Sequence, residues 1–150
     1  MASGVMAADG SGFFWNIDGN VGKNCPNKPD DVELVRFGYS CMTPFATTPP
    51  DLKKAIARMS PSGGYAGDLQ EVIDLHEKLR GGAQDGRVSR VPPATVSGSY
   101  DGQHHYILLA LNTAIRLFDP SLWPRIDRAP LSGPLISARS KRVFNVAVPV

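Results

Sequence analysis

The sequence predicts a mainly α-helical domain of three to four helices, with short strands near its two ends that pair to close it. Three observations predict this class. Apolar residues recur at helical spacing in four separate stretches. Proline and glycine bound those stretches where helices start and stop. Two short runs, Phe13–Ile17 and Val143–Val148, are dense in aromatic and β-branched residues. The chain has 150 residues, 42% hydrophobic and 20% charged, which suits one modest core. Its 15 glycines and 13 prolines call for much loop and turn. Residues 1–12 are small and polar and read as a flexible N-terminus; residues 13–150 read as a single globular domain.

Phe13-Phe14-Trp15-Asn16-Ile17 is an extended apolar anchor or strand, read as buried against the core more than as a binding platform, and ended by the turn signal Asp18-Gly19-Asn20. The first helix begins near Pro29, since proline suits a position whose N–H has no helical partner. Asp30 and Asp31 follow where the helix dipole favours negative charge. Val32, Val35 and Tyr39 form its apolar stripe, widened by Leu34 and Phe37. Gly38 weakens its end by about 1 kcal/mol relative to alanine. A proline-rich loop, 43–50, leads to a short helix over Asp51–Met59, broken by Ser60-Pro61-Ser62-Gly63-Gly64. Asp68–Leu79 has the period Leu69, Val72, Ile73, His76 and Leu79, and Gly81-Gly82 stops it. Asp85-Gly86-Arg87-Val88 is a second Asp-Gly turn, a loose echo of Asp18-Gly19-Asn20-Val21. An extended connector over Val91–Ser99 precedes the longest helix, Gln103–Phe118, which buries Ile107, Leu108, Leu111, Ile115 and Phe118. Leu122–Asp127 adds a short turn, and 131–140 is loop. Val143–Val148 is a terminal strand, expected to pair with Phe13–Ile17.

The net charge of +2 is too small to argue for a nucleic-acid partner or a membrane surface. Arg139, Lys141 and Arg142 are the one basic cluster and read as a solvated strand entry. No stretch approaches the roughly 20 apolar residues of a membrane helix, so no membrane insertion is expected. The first residues have no basic n-region or apolar run of signal-peptide length. Synthesis in the cytoplasm is expected, with any export through a specialised system. Cys25 and Cys41 are either a disulfide or two thiols, and spacing does not decide between them.

Few residues carry a chemical signature. Gly19–Asn24 resembles a phosphate loop, but Ile17 stands at the first motif glycine and Asn24 where Mg²⁺ binding needs Ser or Thr. His104 and His105 are adjacent and face different sides of a helix, so they do not chelate one metal. His76 lies alone beside Glu77. No metal or cofactor is expected. Cys25, before Pro26 at a helix entry, is the thiol most open to activation; with His104 and an Asp it would make a cysteine amidase or peptidase, although no local signature supports this. Asp30 and Asp31 could do acid–base work, but matching the helix start explains them better. Glu33 and Arg36 read as a weak surface pair. No catalytic residue is assigned, and an enzyme is the less favoured class.

Val21-Gly22, then Asn27-Lys28-Pro29-Asp30-Asp31-Val32-x-Leu34-Val35, resembles the first helix of small bacterial peptidoglycan-binding-like proteins. Leu69–His76 followed by Asp85-Gly86-Arg87-Val88 is similar to that family's second helix and loop. Leu111-Asn112 and Trp123-Pro124-Arg125-Ile126 are similar to later segments. The likeness touches residues 15–127 in islands. Phe37-Gly38-Tyr39, Leu75-His76 and the insert 43–64 depart from the pattern. The resemblance implies a compact helical core that binds cell-wall glycan or stem peptide without catalysis. Relatives of this type also look like accessory proteins of secretion and contractile-injection systems.

Two classes of function follow, beside the cysteine amidase. One is a non-catalytic peptidoglycan-binding module whose groove presents Asp30, Asp31, Arg36, Tyr39, Asp85, Arg87 and Trp123, because sugars stack on aromatic faces and hydrogen-bond to polar groups. The other is a structural or adaptor subunit of a secretion or phage-tail-like system, whose ends recruit another bacterial protein, or a second copy, through Phe13, Phe14, Trp15, Val146 and Val148.

Overall fold

Pro29 opens the central element. In the computed structural model, which describes residues 3–6, 13–92 and 106–118, helix α1 runs Pro29–Met42. Eleven of its fourteen residues are buried, so α1 is enclosed on nearly every side and is not the one-striped helix expected from its pattern. Gly38 lies inside the helix, which continues to Met42. It lets α1 approach helix α4, Ile107–Phe118, where a Cβ on Gly38 would stand 2.8 Å from Leu111 Cβ. The α1–α4 pair is the most extensive helix contact. A glycine inside a helix is unfavourable by propensity, yet here it permits two buried helices to pack closely.

The second helix pair is α2, Pro50–Arg58, against α3, Gly67–Arg80. Leu52, Ala55 and Ile56 of α2 meet the core with Leu69, Val72 and Ile73 of α3. The expected stripe of α3 fails at its end: Leu79 is 42% exposed, and Glu77 is buried instead. Gly81 stops α3 as expected, in the left-handed conformation at φ 76°.

The strands are short. β1, Ser3–Met6, pairs antiparallel with β2, Phe13–Asn16, with Gly4 opposite Trp15. The N-terminal stretch is therefore the strand partner of the aromatic run. The expected partner, Val143–Val148, lies outside the described residues, as do Leu122–Asp127, the basic cluster at 139–142, and residues 103–105 of the longest predicted helix. β3, Val21–Gly22, pairs antiparallel with β4, Arg87–Val88.

Three asparagines complete these small sheets from the side. Asn112 of α4 accepts the Trp15 N–H and donates to the Trp15 carbonyl at 2.9 Å. Asn16 accepts the Val91 N–H at 3.1 Å and donates to the Val91 carbonyl at 2.8 Å. Asn27 holds Gly22 in the same way, at 2.8 and 2.9 Å. A primary amide offers a donor and an acceptor side by side, so it can satisfy one residue's backbone as a neighbouring strand would. Among the described residues, these contacts add to the backbone pairing that such short strands provide.

Candidate functional site

At the end of α3 the helix places Glu77 and Arg80 toward the chain that returns as β4. Glu77 is 4% exposed, and its two oxygens accept the N–H groups of Asp85 at 3.2 Å and Gly86 at 2.7 Å. Gly86 has φ 73°, which turns the chain sharply into β4. Arg87 then bonds back to Asp85, Nε to Oδ2, at 3.1 Å. The result is a polar cleft of about 120 Å³ between the end of α3, the turn and the start of α4, lined chiefly by Glu77, Arg80, Asp85, Arg87, Ser89 and Tyr106.

Its electrostatics follow from burial and from the two carboxyl groups. Burial pushes Glu77 up, and its hydrogen bond with Asp85 adds to this, against the Gly86 N–H that favours the ionised form. Burial also works to raise Asp85, but the hydrogen bond from Glu77 and the contacts with Arg87 outweigh it and hold Asp85 low. Between the two acids, the proton is therefore favoured on Glu77 over Asp85. Burial lowers Arg80 from the usual arginine value.

The residues expected to bind a ligand separate into three groups. Asp85 and Arg87 line the cleft. Asp30 is exposed but is not among the lining residues. Asp31, Arg36 and Tyr39 are at most 2% exposed; this corrects the expected groove beside the first helix. Asp31 reaches back to accept the N–H groups of Asp18 at 3.0 Å and Gly19 at 2.9 Å. Arg36 is no partner of Glu33 on the surface. All five of its N–H donors are engaged: two with Asp68 at 2.9 Å, and three with the carbonyls of Ser60 and Gly64 at 2.6–3.1 Å. Those bonds hold Asp68 far below the usual carboxylate range, and they staple the glycine-rich loop to α1.

Tyr39 cannot offer a ring face to a sugar. Its hydroxyl meets His76 Nδ1 at 2.9 Å, with the two rings edge to face. Burial raises the phenol and lowers His76 to about 3. Both groups therefore stay neutral near pH 7. His76 Nε2 and Trp15 Nε1 have no hydrogen-bond partner among the described residues. Trp123 lies outside those residues.

The expected partner-binding residues are also displaced from that role. Phe14 and Trp15 are 0% and 1% exposed, and Asn112 occupies the side of β2 away from β1 at Trp15. The Phe13 side chain, Val146 and Val148 lie outside the described residues. Cys25 and Cys41 are not joined. The Cys25 thiol donates to the Lys23 carbonyl at 3.3 Å, and burial pushes it up despite nearby Arg87; this reverses the expected activation at a helix entry. Among the described residues, no group of three His, Cys, Asp or Glu could hold a metal ion, and no helix is long and apolar enough to cross a membrane.

The pattern-based reading missed Glu77, Arg80, Ser89 and Tyr106. A signal existed for Glu77: a carboxylate in the last turn of a helix faces the negative end of the dipole, an unfavourable place unless something compensates it. The turn eight residues later supplies two N–H groups that do so. No protein-family model, curated protein or solved structure matches the chain significantly.

Proposed function

We propose that the chain is a non-catalytic binding module of peptidoglycan-binding-like type, which recognises cell-wall glycan or stem peptide at the cleft between α3, β4 and α4. The carrying observation is that Asp85 and Arg87 line a polar cleft of both charge signs. These are two of the residues that the sequence reading placed in a ligand groove. A stem peptide carries carboxylates, amines and amides, which such a lining can pair. Among the described residues, the lining holds no histidine or cysteine. Export by a specialised system would bring the module to the wall. In a pull-down at low salt, purified sacculi should retain the protein; protein left wholly in the supernatant would sink this reading.

A second reading is an adaptor or assembly subunit of a secretion or phage-tail-like system. The β1–β2 hairpin favours it, because a two-stranded sheet can accept a further strand. Asn112 already occupies β2 at Trp15, so strand addition would use the outer side of β1. Light scattering after size exclusion separates the readings: a strict monomer whose behaviour is unchanged when residues 1–6 are removed counts against the adaptor.

A further inference from the structure

We propose that the cleft takes the terminal carboxylate of a peptide, one amino-acid residue deep, and not a sugar ring. This rests on the binding reading above and narrows it to the peptide part of the wall.

Size is the first support. The cleft is open to solvent and holds about 120 Å³. A cavity of about 150 Å³ is what admits a benzene molecule. A pyranose bearing hydroxyl and acetamido groups is bulkier than benzene, whereas a carboxylate with a short side chain is not. Tyr106 is the sole aromatic among the lining residues, and it is half-buried. Beyond Tyr106, the described residues thus offer no broad ring face on which a sugar stacks.

The second support is the contrast between two arginines. Arg36 has 2% of its side chain exposed and uses all five N–H donors within the fold. Arg87 has 47% of its side chain exposed and engages Asp85 through Nε. Arg87 lines the cleft, and its end-on pair of Nη groups has no partner among the described residues. That edge matches the two oxygens of a carboxylate.

The acids beside it leave room for an added negative charge. Both Glu77 oxygens accept backbone N–H groups, so the side chain belongs to the turn. Asp85 is paired with Arg87. Arg80 and Arg87 place two cationic side chains in the same lining. Ser89, also in the lining, can donate to the incoming group or to its peptide carbonyl.

The test uses the full chain and three probes followed by NMR or calorimetry: N-acetyl-alanyl-alanine in both chiral forms, the same dipeptides as C-terminal amides, and di-N-acetylchitobiose, a wall-type sugar without a carboxylate. A dipeptide acid should saturate and shift the Ser89 and Tyr106 signals. Its amide should bind at least tenfold more weakly, and chitobiose should not saturate. Arg87→Gln should weaken the acid at least tenfold and leave the amide unchanged, and Arg87→Lys should fall between because it keeps the charge without the planar fork. Equal binding of acid and amide, saturation by chitobiose, or an Arg87→Gln variant that binds the acid as the parent does would each overturn the proposal. Retention on sacculi without dipeptide binding rejects the carboxylate site and leaves the wall-binding module standing. Dipeptide binding without retention rejects the wall and leaves the site.

Discussion

The two Asp-Gly turns use one device at opposite ends of helices. Asp18-Gly19 gives two successive N–H groups to Asp31 in the first turn of α1. Asp85-Gly86 gives two successive N–H groups to Glu77 in the last turn of α3. Each turn leads into a two-residue strand, and those strands pair, Val21 opposite Val88. The echo in sequence is thus a structural echo. The difference lies in what surrounds the carboxylate. Asp31 is fully buried at the helix end that favours its charge, while the Asp18 side chain turns outward to Lys28. Glu77 stands at the end that disfavours its charge, beside Asp85 and against a cleft. The same grip makes a closed joint in one place and the wall of a site in the other.

The largest expected effect comes from breaking both turns at their meeting point. A Cβ on Gly22 would lie 2.3 Å from the Gly86 oxygen and 2.7 Å from Arg87 Cα, at φ 137°. Both obstacles are backbone atoms, so neither can swing aside. Gly22→Ala should lower stability by about 4 kcal/mol, from overpacking and from a backbone conformation that L residues avoid. A urea midpoint close to the parent's would show that β3 and β4 are not locked together.

The next test separates the two turns. Asp31→Ala leaves two N–H groups facing a buried space, and the loss should be about 3 kcal/mol. Glu77→Ala leaves its two N–H groups beside the cleft, where water can replace the carboxylate, and the loss should be nearer 1–2 kcal/mol. Equal midpoints for the two variants would mean that the cleft is as closed as the joint.

The smallest effect is a pH dependence confined to the second turn. Glu77 is raised in the folded state, so the folded protein binds its proton more tightly than the unfolded chain does. Its contribution is fully present below its ordinary value of 4.5 and is lost as pH rises through the folded value. His76 acts in the opposite sense. It is lowered from 6.5 to about 3, so its contribution is present above 6.5 and is lost as pH falls toward 3. Comparing urea midpoints of the parent and Glu77→Gln from pH 4 to 8 cancels the His76 part. The parent should lose stability relative to the variant as pH rises. Parallel curves would show that Glu77 is not raised.

Much of the helical framework was legible without coordinates. Pro29, the Leu52–Ala55–Ile56 stripe, the Leu69–Val72–Ile73 stripe and Gly81 all mark local events within a few residues of chain, and those elements stand where local propensity and period put them. The candidate site was legible in two residues, Asp85 and Arg87, because a turn signal is also local. Arg36, Tyr39 and Asp31 misled because burial is not written in residue type. A polar side chain in a helix reads as surface until a distant partner is known, here Asp68, His76 and the 18–19 turn.

The sequence by itself determined where the chain can be helical and where it must turn, because dihedral preference, the proline ring and glycine's freedom act over a few bonds. Tertiary structure alone decided which polar groups lie inside. It brought Asn112 to Trp15 and Asn16 to Val91 across long separations, and it enclosed α1 by letting Leu111 press onto Gly38. It also gave the two Asp-Gly turns different tasks. Desolvation and hydrogen-bond pairing depend on every element packed around a group, and for the two turns that surrounding differs while the Asp-Gly pair does not.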